Sequence, residues 1–111
     1  MYVLIDECLP NKLKRSITGH DVKSLHDMGW AGLKNGELIE HIEKARFDFF
    51  ITIDASIQYQ QHLSDKPFGV IILKAKNNTY EELNILVPKI LATLTPNHLR
   101  KVTTLKTGTE G

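Results

Sequence analysis

Apolar residues along this chain fall into two kinds of pattern that alternate from end to end. The first kind is a short, nearly continuous run of strand length, found at residues 2–5, 48–53 and 68–73. Such runs suit strands buried on both faces of a sheet. A weaker strand is expected at residues 20–25, with Val22 as its most apolar member, and a last one at 102–105. The second kind recurs at helical spacing. Leu9, Leu13 and Ile17 predict a helix opened by Pro10, because proline suits the first helical turn, and closed by Thr18-Gly19. Leu38, Ile42 and Ala45 predict another, with Asn35 as its N-cap and Glu37 in its first turn, where a carboxylate favours the helix dipole. Residues 55–63 read as a short polar helix. Residues 81–94 read as a longer one that Pro88 must kink or restart. Residues 28–34, with Gly29 and Gly32 around Trp30, read as a loop.

Strands alternating with helices predict an α/β fold, with a mostly parallel sheet, right-handed crossovers and helices on both faces. At 111 residues the chain fits one domain, taken as residues 1–105 with a frayed tail at 106–111. A composition 41% hydrophobic and 24% charged is that of an ordinary globular protein, able to bury a core without staples. The one cysteine, Cys8, rules out an internal disulfide and a multi-cysteine zinc site, and agrees with a cytoplasmic protein. No basic segment opens the chain and no apolar run nears the ~18 residues of a membrane span, so neither a secretory leader nor a membrane is expected. A net charge of +1 leaves any nucleic-acid contact to a local basic patch.

The acids change the picture. In open α/β sheets, ligands bind at the carboxyl ends of the strands, near a topological switch point. Asp6-Glu7 follows the first strand, Asp54 follows the third, and Glu37 opens the helix after the second. All four are thereby expected at one edge of the sheet. A carboxylate at a strand end also serves as a turn residue or helix cap, which is the plain alternative for each of them. Gathered together they would repel one another, and a divalent cation removes that cost. Hard oxygen ligands suit Mg²⁺ or Mn²⁺ better than zinc. The five histidines are scattered, without metal-ligand spacing. A cation so held polarises a phosphoryl oxygen and lowers the pKa of a bound water, the two effects that phosphodiester hydrolysis uses.

Three segments carry a likeness: Val3-Leu4-Ile5-Asp6-Glu7-Cys8-Leu9-Pro10, Gly32-Leu33-Lys34-Asn35-Gly36-Glu37-Leu38, and Ile51-Thr52-Ile53-Asp54. Together they resemble the PIN-like family of short stand-alone bacterial chains, compact relatives of the PIN-domain ribonucleases. The resemblance implies a PIN-like three-layer sandwich with a four- or five-stranded sheet, and a metal-dependent endoribonuclease site. Asp6, Glu37 and Asp54 would be its catalytic acids, with Glu7 as a further ligand to Mg²⁺ or Mn²⁺. It also implies an RNA substrate and a toxin–antitoxin pair with a cognate antitoxin; whether the chain forms a homodimer is left open by the sequence. Related chains carry an aspartate where Asn35 stands, and an Asp-Phe pair where Ser56-Ile57 stands.

Other residues are candidates for cleft or substrate contacts: Asn35, Thr52, Ser56, Tyr59, Lys12 and Lys74. Each has a bland counterpart, since threonine favours strands and charge runs on helices are usually solvated faces. Trp30 reads as a packing anchor before a base-stacking platform, and Cys8, beside acids, as a poor nucleophile and a small residue buried in the core. Two other functions compete. A receiver-like phosphoacceptor would use Asp54 as the phosphorylated residue and Lys74 as its sensor, but Lys74 follows the fourth strand rather than the fifth. A non-catalytic interaction module would explain Asn35 and Ser56 as lost acids.

Overall fold

In a computed structural model, which describes residues 1–60 and 62–107 (Gln60 by its backbone alone), the alternation read from the pattern is realised. Strands β1 (Tyr2–Ile5), β2 (Asp21–Ser24), β3 (Phe49–Thr52), β4 (Gly69–Lys74) and β5 (Val102–Lys106) form one sheet. Helices α1 (Asn11–Ser16), α2 (Leu25–Met28), α3 (Asn35–Lys44), α4 (Ile57–Gln60), α5 (Tyr80–Asn84) and α6 (Val87–Thr93) lie between them, with a 3₁₀ turn at Pro96–His98. Every neighbouring pair of strands is parallel, in the order β2-β1-β3-β4-β5. The fold is therefore α/β with five parallel strands, as expected.

Side chains alternate across a strand, and the core divides accordingly. Val3, Ile5, Phe49, Ile51, Ile71 and Leu73 pack with Leu9, Leu13, Leu83, Leu86 and Ile90, which belong to α1, α5, α6 and their flanks. Leu4, Phe50, Val70 and Ile72 pack with Leu25, Leu38, Ile39, Ile42 and Ile57 from α2, α3 and α4. The buried side chains thus form two core clusters, each shared between strands and its own set of helices. Among the described residues no helix is long and apolar enough to cross a membrane.

The order of the strands creates a crevice. From β1 the chain moves outward to β2, then returns past β1 to lay β3 on its other side. The connections leaving β1 and β3 consequently diverge, and between their carboxyl ends lies the switch point. The amide of Asp6 extends the ladder one residue beyond β1, donating to the carbonyl of Ile51 at 2.9 Å.

Four local expectations need correction. A short helix, α2, occupies the end of the expected strand and the start of the expected loop, because Ser24 and Asp27 form a reciprocal capping box. Gly29 closes it in the left-handed conformation, φ 73°. Asn35 is the first residue of α3 rather than its cap, a place taken by the backbone of Lys34. The long helix is two, broken at Ile85 and Leu86, with Pro88 in the first turn of α6, where its missing N–H costs nothing. Lys106, assigned to the tail, belongs to β5, and Thr107 donates to the carbonyl of Lys74 at 3.0 Å. Residues 108–111 of that tail, and Gln61 of the expected 55–63 helix, lie outside the described residues.

Lys14 of α1 reaches the capping carboxylate of Asp27 at 2.7 Å, joining α1 to α2. The Lys14 hydrogen bond, then that from the backbone of Ser24, lowers the pKa of Asp27 to about 2.

Gly69 starts β4 where no side chain fits. A Cβ there would lie 2.5 Å from the Phe49 ring and 2.6 Å from the carbonyl oxygen of His98. Gly69→Ala must therefore shift a buried ring or backbone. The expected loss is about 1–3 kcal/mol, read from urea unfolding midpoints at unchanged slope. An alanine variant as stable as the parent would show that β4 has slack there.

Candidate functional site

The site begins with one buried hydroxyl. Thr52, the last residue of β3, is 1% exposed, so its hydroxyl must find partners inside the protein. It donates to Asp6 Oδ2 at 2.6 Å and accepts from the amide of Asp54 at 3.0 Å. Both neighbours sit just beyond a strand end, one on each side of the switch point. Thr52 thereby fixes the direction of the Asp6 carboxylate and the path of the chain into Asp54.

Asp54 is held in turn. Its Oδ1 accepts from the hydroxyl of Ser56 at 2.6 Å and from the Ser56 amide at 3.0 Å. The side chain of Asn35, at the start of α3, is a further donor. The Ser56 hydroxyl is the main cause that holds the Asp54 pKa below the usual carboxylate value, against partial burial that raises it; the Ser56 amide and Asn35 act in the same direction as the hydroxyl. Glu7, exposed at the rim, accepts from the amide of Gly32 at 3.1 Å, which ties the loop after β1 to the loop after α2.

These residues surround a cleft of about 460 Å³ lined by Asp6, Glu7, Cys8, Asn35, Thr52 and Asp54, with Leu38, Phe50 and Ile57 among its apolar walls. Cys8 shares the acids' field. Loss of water around its thiol, followed by the charges of Asp6, Glu7 and Asp54, pushes its pKa up. Although Cys8 is exposed rather than packed in the core, it stays a neutral thiol at pH 7 and a poor nucleophile.

The structure separates other candidates from the cleft. Glu37 lines a different groove, with Gly36, Ile39, Glu40, His62, Asp65 and Lys66. The reason is helical geometry: at about 100° per residue, positions two apart in α3 face nearly opposite ways. Asn35 and Leu38 are three apart and share the cleft. Lys12 places its ammonium over the Tyr80 ring, 5.6 Å from the centroid. Tyr59 is 84% exposed and lines neither groove. Lys74 lies in an adjoining groove that shares Ile53 with the cleft. Trp30 packs edge-on against Phe47 and His41, as an anchor does.

The donor set is one of oxygens. Among the described residues no group of three or more His, Cys, Asp or Glu is arranged to hold a metal. Two carboxylates are nevertheless the common provision for Mg²⁺, which keeps several waters and takes further ligands from substrate phosphates. Asp6 and Asp54 supply oxygens of that chemical kind at the cleft. They do not fit a closed zinc site.

No family model, curated protein or solved structure matches the chain.

Thr52→Val keeps the shape and removes the hydroxyl. It should cost about 1–3 kcal/mol, because the Asp54 amide loses its acceptor, and weaken Mg²⁺ binding about 10–100-fold as Asp6 loses its orientation. Denaturant melts and calorimetric titration of one preparation read both. Ser56→Ala tests the charge state of Asp54, whose folded pKa lies below its unfolded value. The stability from this hydrogen bond is present above the unfolded pKa and is lost as pH falls through the folded one. Parent and variant should thus differ most at neutral pH and converge in acid. Carboxyl ¹³C shifts should place the variant's Asp54 pKa higher, and an unmoved titration would dissociate Ser56 from that carboxylate's charge.

Proposed function

We propose that this chain is a Mg²⁺- or Mn²⁺-dependent endoribonuclease of PIN-like type, acting at the crevice between β1 and β3. The observation that carries the reading is the pair Asp6 and Asp54, joined through Thr52 at the switch point of a parallel sheet. Asp6 and Asp54 would hold the cation, with Glu7 as a third oxygen donor at the rim. When bound, the cation supplies charge for the phosphoryl oxygens and acidifies a bound water. The protein does the rest by position. Thr52 holds Asp6 ready without solvent reorganisation. Ser56 and Asn35 keep Asp54 ionised. Leu38, Phe50 and Ile57 give the cleft apolar walls beside its acids. Glu37 has no part in this reading, because it faces the other groove.

A second reading is favoured by one observation. The strand order β2-β1-β3-β4-β5 is that of flavodoxin-like sheets, which include receiver domains. A phosphoacceptor would then use Asp54. Against it, neither Lys74, the last residue of β4, nor Lys106, the last of β5, lines the acidic cleft.

One set of measurements separates the readings. Wild-type protein should bind Mg²⁺ or Mn²⁺ by calorimetry and cleave single-stranded RNA, with both activities lost in Asp6→Asn and Asp54→Asn. Glu37→Gln should cleave like wild type. Acetyl phosphate should add no phosphate to Asp54 by intact mass. Uptake there would replace the nuclease with a phosphoacceptor, and no binding at millimolar metal would leave an interaction module.

A further inference from the structure

The carboxyl edge of the sheet continues past the acidic cleft. Beside it lies a second groove of about 400 Å³, lined by Ile53, Leu73, Lys74, Ala75, Asn77 and Asn78. Ile53 stands in the wall of both, so the two are adjacent. They are also tied together: the Asn78 side-chain Nδ2 donates to the carbonyl of Cys8 at 3.3 Å, joining the loop after β4 to the loop after β1.

The charged residue in the lining of this second groove is Lys74, and further lysines lie near it in sequence and register. Lys74, at the end of β4, pairs in register with Lys106, at the end of β5. Register partners on neighbouring strands emerge on the same face, about 4.8 Å apart at the backbone. Like charges so placed destabilise a sheet. Lys89 of α6 adds a third cation, its ammonium donating to the carbonyl of Lys106 at 3.2 Å, and Lys76 follows Lys74 by two residues. All four are exposed. Among the described residues none of them enters an ion pair; the pairs formed there use Lys14, Lys23 and Lys66. Glu81 and Glu82, in the first turn of the next helix, form no ion pair with these lysines among the described residues.

A concentration of unpaired lysines is unexpected in a chain of net charge +1. It is maintained at a cost to the sheet, and it adjoins the cleft at which a phosphodiester would react. No aromatic side chain lines the groove, so it offers no stacking surface for bases. What it offers is charge, and charge reads the phosphate backbone without regard to sequence.

We propose that Lys74, Lys76, Lys89 and Lys106 form a shelf that binds the phosphate backbone of single-stranded RNA as it leaves the acidic cleft. The proposal takes its choice of polyanion from the nuclease reading and adds the path of the strand: across the ends of β3, β4 and β5. The ends of two adjacent strands make a narrow platform, suited to one backbone rather than to a duplex.

The test is fluorescence anisotropy with a short labelled oligouridylate, in EDTA so that metal-dependent cleavage is silent. Wild type should bind with an affinity that falls as salt rises. Lys74→Glu combined with Lys106→Glu should weaken binding at least tenfold and shrink the salt slope by about 0.7 for each phosphate no longer neutralised. Lys106→Glu alone should weaken RNA binding yet raise Tm, because it turns a like-charge pair into an attractive one. A double variant at the other edge of the sheet, Lys44→Glu with Lys101→Glu, changes net charge equally and should bind RNA like wild type. The shelf is refuted by absent binding in wild type, or by an equal loss in that other-edge variant. It is refuted equally if polyglutamate competes as tightly as RNA, which would point to an acidic protein segment. Cleavage is scored separately with Mg²⁺. A protein that binds RNA through these lysines but cuts nothing would retire the nuclease and keep the shelf.

Discussion

The arrangement of the site depends on a threonine hydroxyl that has nowhere else to go. Buried at the end of β3, Thr52 must satisfy its oxygen internally, and the partners within reach are the Asp6 carboxylate and the Asp54 amide. An unsatisfied hydroxyl in that position would cost more than the hydrogen bonds contribute when made. The burial of β3 by Phe49, Phe50 and Ile51 is therefore what places the two acids. Core packing and site geometry are one constraint here, and among the described residues no buried side-chain polar atom is left without a partner.

That constraint operates at the switch point because the sheet is parallel and its order reverses there. Each strand delivers its carboxyl end to the same edge, so residues distant in sequence become neighbours without any long loop. Asp6 and Asp54 meet because β1 and β3 are adjacent, while Lys74 and Lys106 meet because β4 and β5 are. The same edge thus carries a negative half and a positive half. Their separation is a matter of strand order and would be lost if β3 and β5 exchanged places.

Strands β1, β3 and β4 were legible in the sequence because burial on both faces leaves unbroken apolar runs, whereas the edge strands β2 and β5 left a weaker signal. The acids after β1 and β3 were legible for the same reason, since each run stops at one. Glu37 was misplaced by attention to the helix dipole, which concerns only the first turn and is blind to which way a side chain faces. The period of Leu38 and Ile42 contained the correction: three residues before Leu38 stands Asn35, on the inner face. Lys12 has the opposite history. Nothing in its own neighbourhood announces Tyr80, which arrives through tertiary packing of α5 against α1. The lysine pair was invisible until the register of β4 and β5 was known, because register across a parallel connection leaves no local signal.

Asn35 and Ser56 decide what kind of site this is. Each presents a hydrogen-bond donor to Asp54 at a place where the resemblance would have put another carboxylate. Further carboxylates at those two places would add to the repulsion among Asp6, Glu7 and Asp54, which line the cleft. Donors directed at Asp54 instead ease that repulsion without a cation. On the proposed reading the missing ligands come from the RNA, because Mg²⁺ readily takes phosphate oxygens beside one or two protein carboxylates. Metal and RNA would then bind with positive coupling, each supplying charge the other needs. Coupling is reciprocal, so the lysine shelf, by holding the phosphate backbone, would raise the affinity of a cation it does not touch.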